Sequence, residues 1–382
     1  MAIVTGLSGN EMFCLDRKGF APGELVVGNA VHSLGFVGSL GAGLRTLAGG
    51  EVEGVTEIVH EGRLVAVDRL LAEARRHGAH GITGIDSEII RHPSTIEFLS
   101  VGSGIHHAGE RSREVAFSTA ADGQELYCQL DAGFMPVRFV FGNVAYSIGF
   151  GGGIRGGLRA LARGEVKEFS DIFNETRHLA LDRITREARV AKAHAVVGVR
   201  TTIHSVGGAQ EMVMVGTASR HAALEQAHLE DPITSDLTNE EMWNCIHLGY
   251  MPVRIVLGVS VTSLGFVGSF TSVFRSLVRG EIPELSSLVY EARESAISRI
   301  RADAELCGAD DVLGVRTYVY QLGSGLIEFL AIGTAVRRMP GLTTLSPELP
   351  PQAVLRDKDT FVNAADASMA TDLNDGSARR AR

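Results

Sequence analysis

The alternation of apolar and polar positions gives the same string of elements three times along the chain. Each copy opens on a polar residue, Ser8, Asp122 or Thr238, with Glu11, Glu125 or Glu241 three residues later. That is capping-box spacing, in which side chains and backbone N–H groups satisfy one another at a helix start, and it predicts a short helix with an aromatic residue and a cysteine near its end: Phe13-Cys14, Tyr127-Cys128, and Trp243 with Cys245. After Gly19, Gly133 and Gly249, the prolines Pro22, Pro136 and Pro252 block continued helix and start an extended segment. In the second copy residues 137–147 are rich in β-branched and aromatic side chains, as a strand should be.

A glycine-rich turn follows, then a short apolar helix carrying Arg45, Arg159 or Arg275 that stops at Gly50-Glu51, Gly164-Glu165 or Gly280-Glu281. A longer helix is predicted roughly over 58–77, 172–192 and 288–307. In the second copy Ile172, Thr176, Leu179, Ala180, Ile184, Ala188 and Ala191 recur at steps of three and four and form one stripe for a sheet to cover. Asp182, Arg183, Arg186 and Glu187 lie on the other side and read as a solvated face. Two strands close each copy, over 81–85, 195–202 or 312–318 and then 97–102, 211–216 or 328–333, joined by hairpin links such as 205–208.

The glycines Gly28, Gly142 and Gly258, each followed six to seven residues later by Leu34-Gly35, Ile148-Gly149 or Leu264-Gly265, are spaced by 114 and then 116 residues. A fixed period of that size means tandem copies of one small domain. The fold class is therefore α+β, three repeats of a strand-helix-strand-strand domain with an antiparallel sheet, over 1–108, 120–222 and 236–340. Polar linkers run over 106–123 and about 219–239. Residues 341–382 show no sustained periodicity and are expected to be a disordered tail, a candidate segment for binding another protein.

The 382 residues suffice for three domains with cores of their own. A formal net charge of −9 gives no electrostatic footprint for nucleic acid or an anionic membrane. The N-terminal residues lack the pattern of a signal peptide and no stretch supplies about 20 uninterrupted apolar residues, so the expected location is cytoplasmic. Four cysteines are too few for a disulfide scaffold and are expected to be reduced.

The order of elements, together with Gly78-Ala79-His80-Gly81-Ile82-Thr83-Gly84-Ile85, Ala193-His194-Ala195-Val196-Val197-Gly198-Val199 and Gly308-Ala309-Asp310-Asp311-Val312-Leu313-Gly314-Val315, resembles the YbjQ family of small bacterial proteins. Final strands ending in Gly102-Ser103, Gly216-Thr217 and Gly333-Thr334 fit as well. The resemblance implies a compact dodecin-like α+β domain that associates into rings, commonly pentamers, and is labelled heavy-metal-binding. It implies a divalent or soft heavy-metal ion as the only cofactor to consider. The family is typically one domain per chain. Whole three-repeat chains cannot fill one five-membered ring, which leaves five chains building three stacked rings, the favoured expectation, or a different closure such as two chains making a six-domain ring.

Among residues with chemistry to offer, Cys14, Cys128 and Cys245 are the only repeated metal-type side chains. One thiolate per domain is a quarter of a tetrahedral site, so copies would have to pool them; the competing reading is that they are simply packed. Arg45, Arg159 and Arg275 recur with Glu51, Glu165 and Glu281 six residues on, as pore or interface candidates. Glu61, Glu175 and Glu291, two before Arg63, Arg177 and Arg293, share the ambiguity between lining a pore or binding a small anion and forming an interface or surface ion pair. Gly151-Gly152-Gly153-Ile154-Arg155-Gly156 satisfies a phosphate-loop spacing, but the other copies do not repeat it. No His, Asp, Ser or Cys set repeats as a proton-transfer or nucleophile site would, so the expectation is a non-enzymatic, self-associating ring or tower scaffold. A metal-binding protein is the alternative, with an enzyme on a small molecule ranked last.

Overall fold

The computed structural model describes residues 2–33, 50–92, 94–107, 112–147, 164–206, 209–263, 283–323 and 326–355. The glycine-rich turns and the short helices expected after them, with Arg45, Arg159, Arg275 and Glu281, lie outside the described residues.

The first repeat runs α1 (Gly9–Arg17), β1 (Phe20–Ser33), β2 (Gly50–Glu51), α2 (Glu53–His77), β3 (Gly81–Arg91) and β4 (Thr95–His107). After a link containing β5 (Phe117–Ser118), the second repeat runs α3 (Gly123–Asp131), β6 (Met135–Ser147), β7 (Gly164–Glu165), α4 (Lys167–Val190), β8 (Ala195–Val206) and β9 (Ala209–Arg220). The third follows β10 (Ile233–Thr234) with α5 (Asn239–His247), β11 (Tyr250–Ser263), α6 (Pro283–Leu306), β12 (Asp311–Gly323) and β13 (Leu326–Arg338); a last turn, α7, spans Pro351–Val354. Ser8 with Glu11, Asp122 with Glu125 and Thr238 with Glu241 each close both halves of a capping box. The long helices start some five residues earlier than the apolar stripe suggests; the first two leave a two-residue Gly-Glu strand almost directly.

In every repeat the long first strand pairs antiparallel with the last, and the last with the middle one, giving the order β1-β4-β3 and its equivalents. The helix lies very close to the first strand at the glycine that marks the repeat. A Cβ on Gly28 would stand 2.0 Å from the Ala66 carbonyl oxygen, and on Gly142 and Gly258 at 2.4 and 2.2 Å from those of Ala180 and Ala296. Only glycine permits that approach, which explains why the period is written in glycine.

The repeats are joined through their sheets. β2 of the first repeat adds antiparallel to β6 of the second, and β7 of the second adds to β11 of the third. In return β5, which leads into the second repeat, pairs parallel with β3 of the first, and β10 pairs with β8. The links read as polar linkers are therefore partly strand. The layers follow as sheet, helix, sheet, helix, sheet, helix. Val67, Leu70 and Ala74 of α2 pack with Val26 and Ile82 of their own repeat and with Phe139, Phe141, Val213 and Val215 of the next. Likewise α4 places Ala180, Leu181 and Ile184 between its own sheet and Ile255, Leu257, Leu330 and Ile332 of the third. The single-stripe reading of α4 is thus half of the picture, since Arg177, Leu181 and Thr185 form a second buried face.

The repeats form one row in sequence order, with α2 and α4 each covering the sheet of the next repeat. One expectation is corrected. Residues 341–355 are ordered: Leu345 donates its N–H to the Asp131 carbonyl, Ala353 is buried, and Asn10 and Gln124 donate to the Leu355 carbonyl. Residues 356–382 lie outside the described residues.

Candidate functional site at the repeat junctions

Among the described residues, two ion pairs without solvent exposure sit where repeats meet. Arg63 on α2 reaches Glu211 on β9 of the next repeat, with Nη2 donating at 3.0 Å, and Arg177 on α4 reaches Glu328 on β13, with Nη2 donating at 2.8 Å to each carboxylate oxygen. All four side chains have no solvent exposure. Arg63 and Arg177 had read as interface or surface candidates, and burial makes them interface. Burial opposes the charge on Arg177, but the Glu328 carboxylate outweighs it and holds the guanidinium proton more firmly than usual.

Other bonds recur beside them. The Thr56 hydroxyl accepts the Ala145 N–H at 2.9 Å, and the Ser170 hydroxyl accepts the Val261 N–H at 2.8 Å, so a helix side chain satisfies the outward backbone of the next repeat's first strand. His60 meets the Asn143 side chain at 3.1 Å, and Asn174 accepts the Val259 N–H at 3.2 Å. Glu51 pairs with Arg183 at 2.7 Å, and Glu165 with Arg299 at 3.3 Å and with the Ser295 hydroxyl at 2.8 Å. Glu51 and Glu165, expected as pore or interface residues, therefore lie between repeats of one chain, and Arg183, expected on a solvated face, is the partner of Glu51. Glu97, Glu211 and Glu328 stood in the sequence as the first residues of the final strands; the signal that could have found their role was their recurrence opposite Val31, Ala145 and Val261.

The cysteines lie elsewhere, along the row formed by α1, α3 and α5. Cys14, Cys128 and Cys245 are buried in one apolar cluster with Tyr127, Met242, Trp243 and Ile246. Burial pushes the Cys128 thiol well above its ordinary value and the Cys245 thiol up to about 12. The thiolate, the form that binds metal, is disfavoured there, and among the described residues no group of three or more His, Cys, Asp or Glu side chains is gathered to hold a metal ion. The three thiols as placed are not a fitting donor set. Cys307 is partly buried just after α6. The hub of this row is Asp131. Burial works against its charge, but Lys18 at 2.7 Å, the Trp243 indole N–H at 2.8 Å and Ser346 outweigh that and keep its pKa low. Side chains from all three repeats and the C-terminal strap thus meet on one carboxylate.

Among the described residues no helix is long and apolar enough to cross a membrane. A family model described as "putative heavy-metal-binding" matches three times, over 21–102, 135–222 and 250–339. An encapsulin nanocompartment protein of Mycobacterium tuberculosis is 32% identical over 243 residues, 61% of this chain and 90% of that protein. UPF0145 proteins of Burkholderia ambifaria and Methanosarcina acetivorans are 34% and 48% identical over 27% and 18% of this chain, and 88% and 64% of their own lengths. The three matches fall on the three strand-helix-strand-strand units and cover most of the chain: it belongs to the YbjQ family.

Proposed function

We propose that this chain is a non-enzymatic, self-assembling scaffold built from three fused family domains. One observation carries the reading: among the described residues, the recurring arginines Arg63 and Arg177 are consumed with Glu211 and Glu328 in holding repeat to repeat. A catalytic or ligand site repeated three times would instead leave a repeated polar cluster facing an open pocket. The encapsulin nanocompartment name of the M. tuberculosis relative is in keeping with an assembly role. The heavy-metal reading has the family description behind it, and the buried thiols add nothing to it.

Native mass spectrometry of the purified full chain, without added ligand, tests the proposal. A particle of several chains is expected. A monomer at tens of micromolar would overturn it.

A further inference from the structure

We propose that copies of this chain join end to end, the third repeat of one against the first repeat of the next, through a third version of the joint that already links repeats within the chain. The inference deepens the scaffold reading and rests on it.

The joint has two complementary faces, and the row leaves one of each uncovered. On the helix side, Thr56-His60-Arg63 and Ser170-Asn174-Arg177 are spent on the following repeat. The equivalents on α6, at the same period of 116 residues, are Ser286, Tyr290 and Arg293. They keep the hydroxyl, the large polar group and the arginine at identical spacing, yet all three are exposed, and among the described residues no carboxylate pairs with Arg293. On the sheet side, Ala145, Asn143 and Glu211, and Val261, Val259 and Glu328, are fully buried under the preceding helix. Their equivalents in the first repeat are Val31, Asn29 and Glu97. Val31 is 55% and Val27 40% exposed, where Phe141 and Leu257 are covered. Glu97, held by Asn29 and His92, keeps 19% of its side chain in solvent against none for Glu211 and Glu328.

A second pair of ends agrees independently. The two-residue strands β5 and β10 each close the outer edge of the preceding repeat's middle strand, burying Ile85 and Val199. At the matching place before the first repeat stand Ile3 and Val4, 48% and 72% exposed. Among the described residues the edge of β12 that should receive them has no partner strand, and Leu313 and Val315 there are 38% and 44% exposed. A strand edge without a partner strand among the described residues and an exposed apolar segment at the matching position, on opposite ends of one molecule, are complementary to each other.

The partner is thus a second copy, because its first repeat exposes the carboxylate, the apolar positions and the leading apolar segment whose equivalents meet the arginine face and the middle-strand edge twice inside the chain. Such a head-to-tail contact is heterologous and either closes into a ring or continues as a filament.

Analytical ultracentrifugation and native mass spectrometry of the full chain decide it, comparing wild type, Arg293→Glu, Glu97→Arg and the double variant. Each single reversal is expected to weaken association at least tenfold and leave a folded monomer by circular dichroism. The double variant is expected to restore the wild-type particle, which a variant that merely misfolds would not do. A wild-type assembly that Arg293→Glu and Glu97→Arg leave intact would overturn the joint while sparing the scaffold reading. A wild-type monomer would overturn both.

Discussion

The joint between the first and second repeats and the joint between the second and third use one plan with different supporting atoms. Both bury an arginine against a glutamate of the next repeat, and both set a helix hydroxyl on the next strand's backbone. Arg63 then uses Nη1 on the Ser87 carbonyl at 2.7 Å and its hydroxyl at 3.2 Å. Arg177 instead lies 4.1 Å from the centre of the Tyr146 ring and donates to its hydroxyl at 2.5 Å, while its Nη1 has no protein partner among the described residues. The cause is local sequence: the first repeat has His32 where the second has Tyr146, and the second has Thr201 where the first has Ser87. The second joint adds His178 against Asp303 at 3.1 Å, where the first has an exposed Leu64. The charge pair fixes the joint, and whatever satisfies the rest of the guanidinium can vary, provided that a buried cation keeps its carboxylate.

The strongest way to break this parallel is to remove the carboxylates. Glu328→Ala leaves Arg177 buried and unpaired and is expected to cost about 3–5 kcal/mol in urea unfolding. Glu211→Ala should cost less, because Arg63 keeps two hydrogen bonds to Ser87 where Arg177 keeps one to Tyr146; equal losses would show that this difference in supporting atoms contributes nothing. Gly142→Ala drives a Cβ into the backbone of α4, 2.4 Å from both the Ala180 oxygen and the Ile184 nitrogen, and should cost about 1–3 kcal/mol by the same measurement. Tyr146→Phe keeps the ring under Arg177 but deletes the acceptor, an expected loss of about 1.5 kcal/mol confined to the second joint.

A smaller effect distinguishes the joints by pH. Burial lowers the basicity of His178, but the Asp303 carboxylate and the Asn174 carbonyl outweigh it, so the folded-state pKa is raised. The stabilisation is complete below the unfolded value of about 6.5 and is lost as pH rises through the folded value. For a pair this close to solvent it is expected to stay below about 1 kcal/mol. Asp303→Asn should remove that slope in unfolding experiments from pH 5 to 9; an unchanged slope would assign it to another group. The smallest effect expected is on metal: replacing Cys14, Cys128 and Cys245 together by alanine should leave cadmium uptake by the full chain unchanged, and a loss in symmetric stoichiometry would restore the thiols as ligands.

Much of the fold was legible because it is written in local patterns. The capping boxes at Ser8, Asp122 and Thr238, the proline after each short helix and the 3.6-residue stripe of α4 each constrain only residues close in sequence. What was not legible is the use of α4 on two faces, since Arg177 and Thr185 do not look like core positions until a second sheet with Glu328 lies over them. The same holds for Phe117-Ser118 and Ile233-Thr234, whose strand pairing is made with the preceding repeat.

By itself the sequence determined three copies, their order of elements and the glycines at which helix and strand touch, because period, capping and steric size are properties of neighbouring residues. The tertiary structure alone decided that Arg63 meets Glu211 across 148 positions and Arg177 meets Glu328 across 151. No local pattern specifies which surface of one repeat covers which surface of the next. That choice is made when two apolar faces close over a charge, and the charge is tolerated in the interior only where its counterion arrives with the other face.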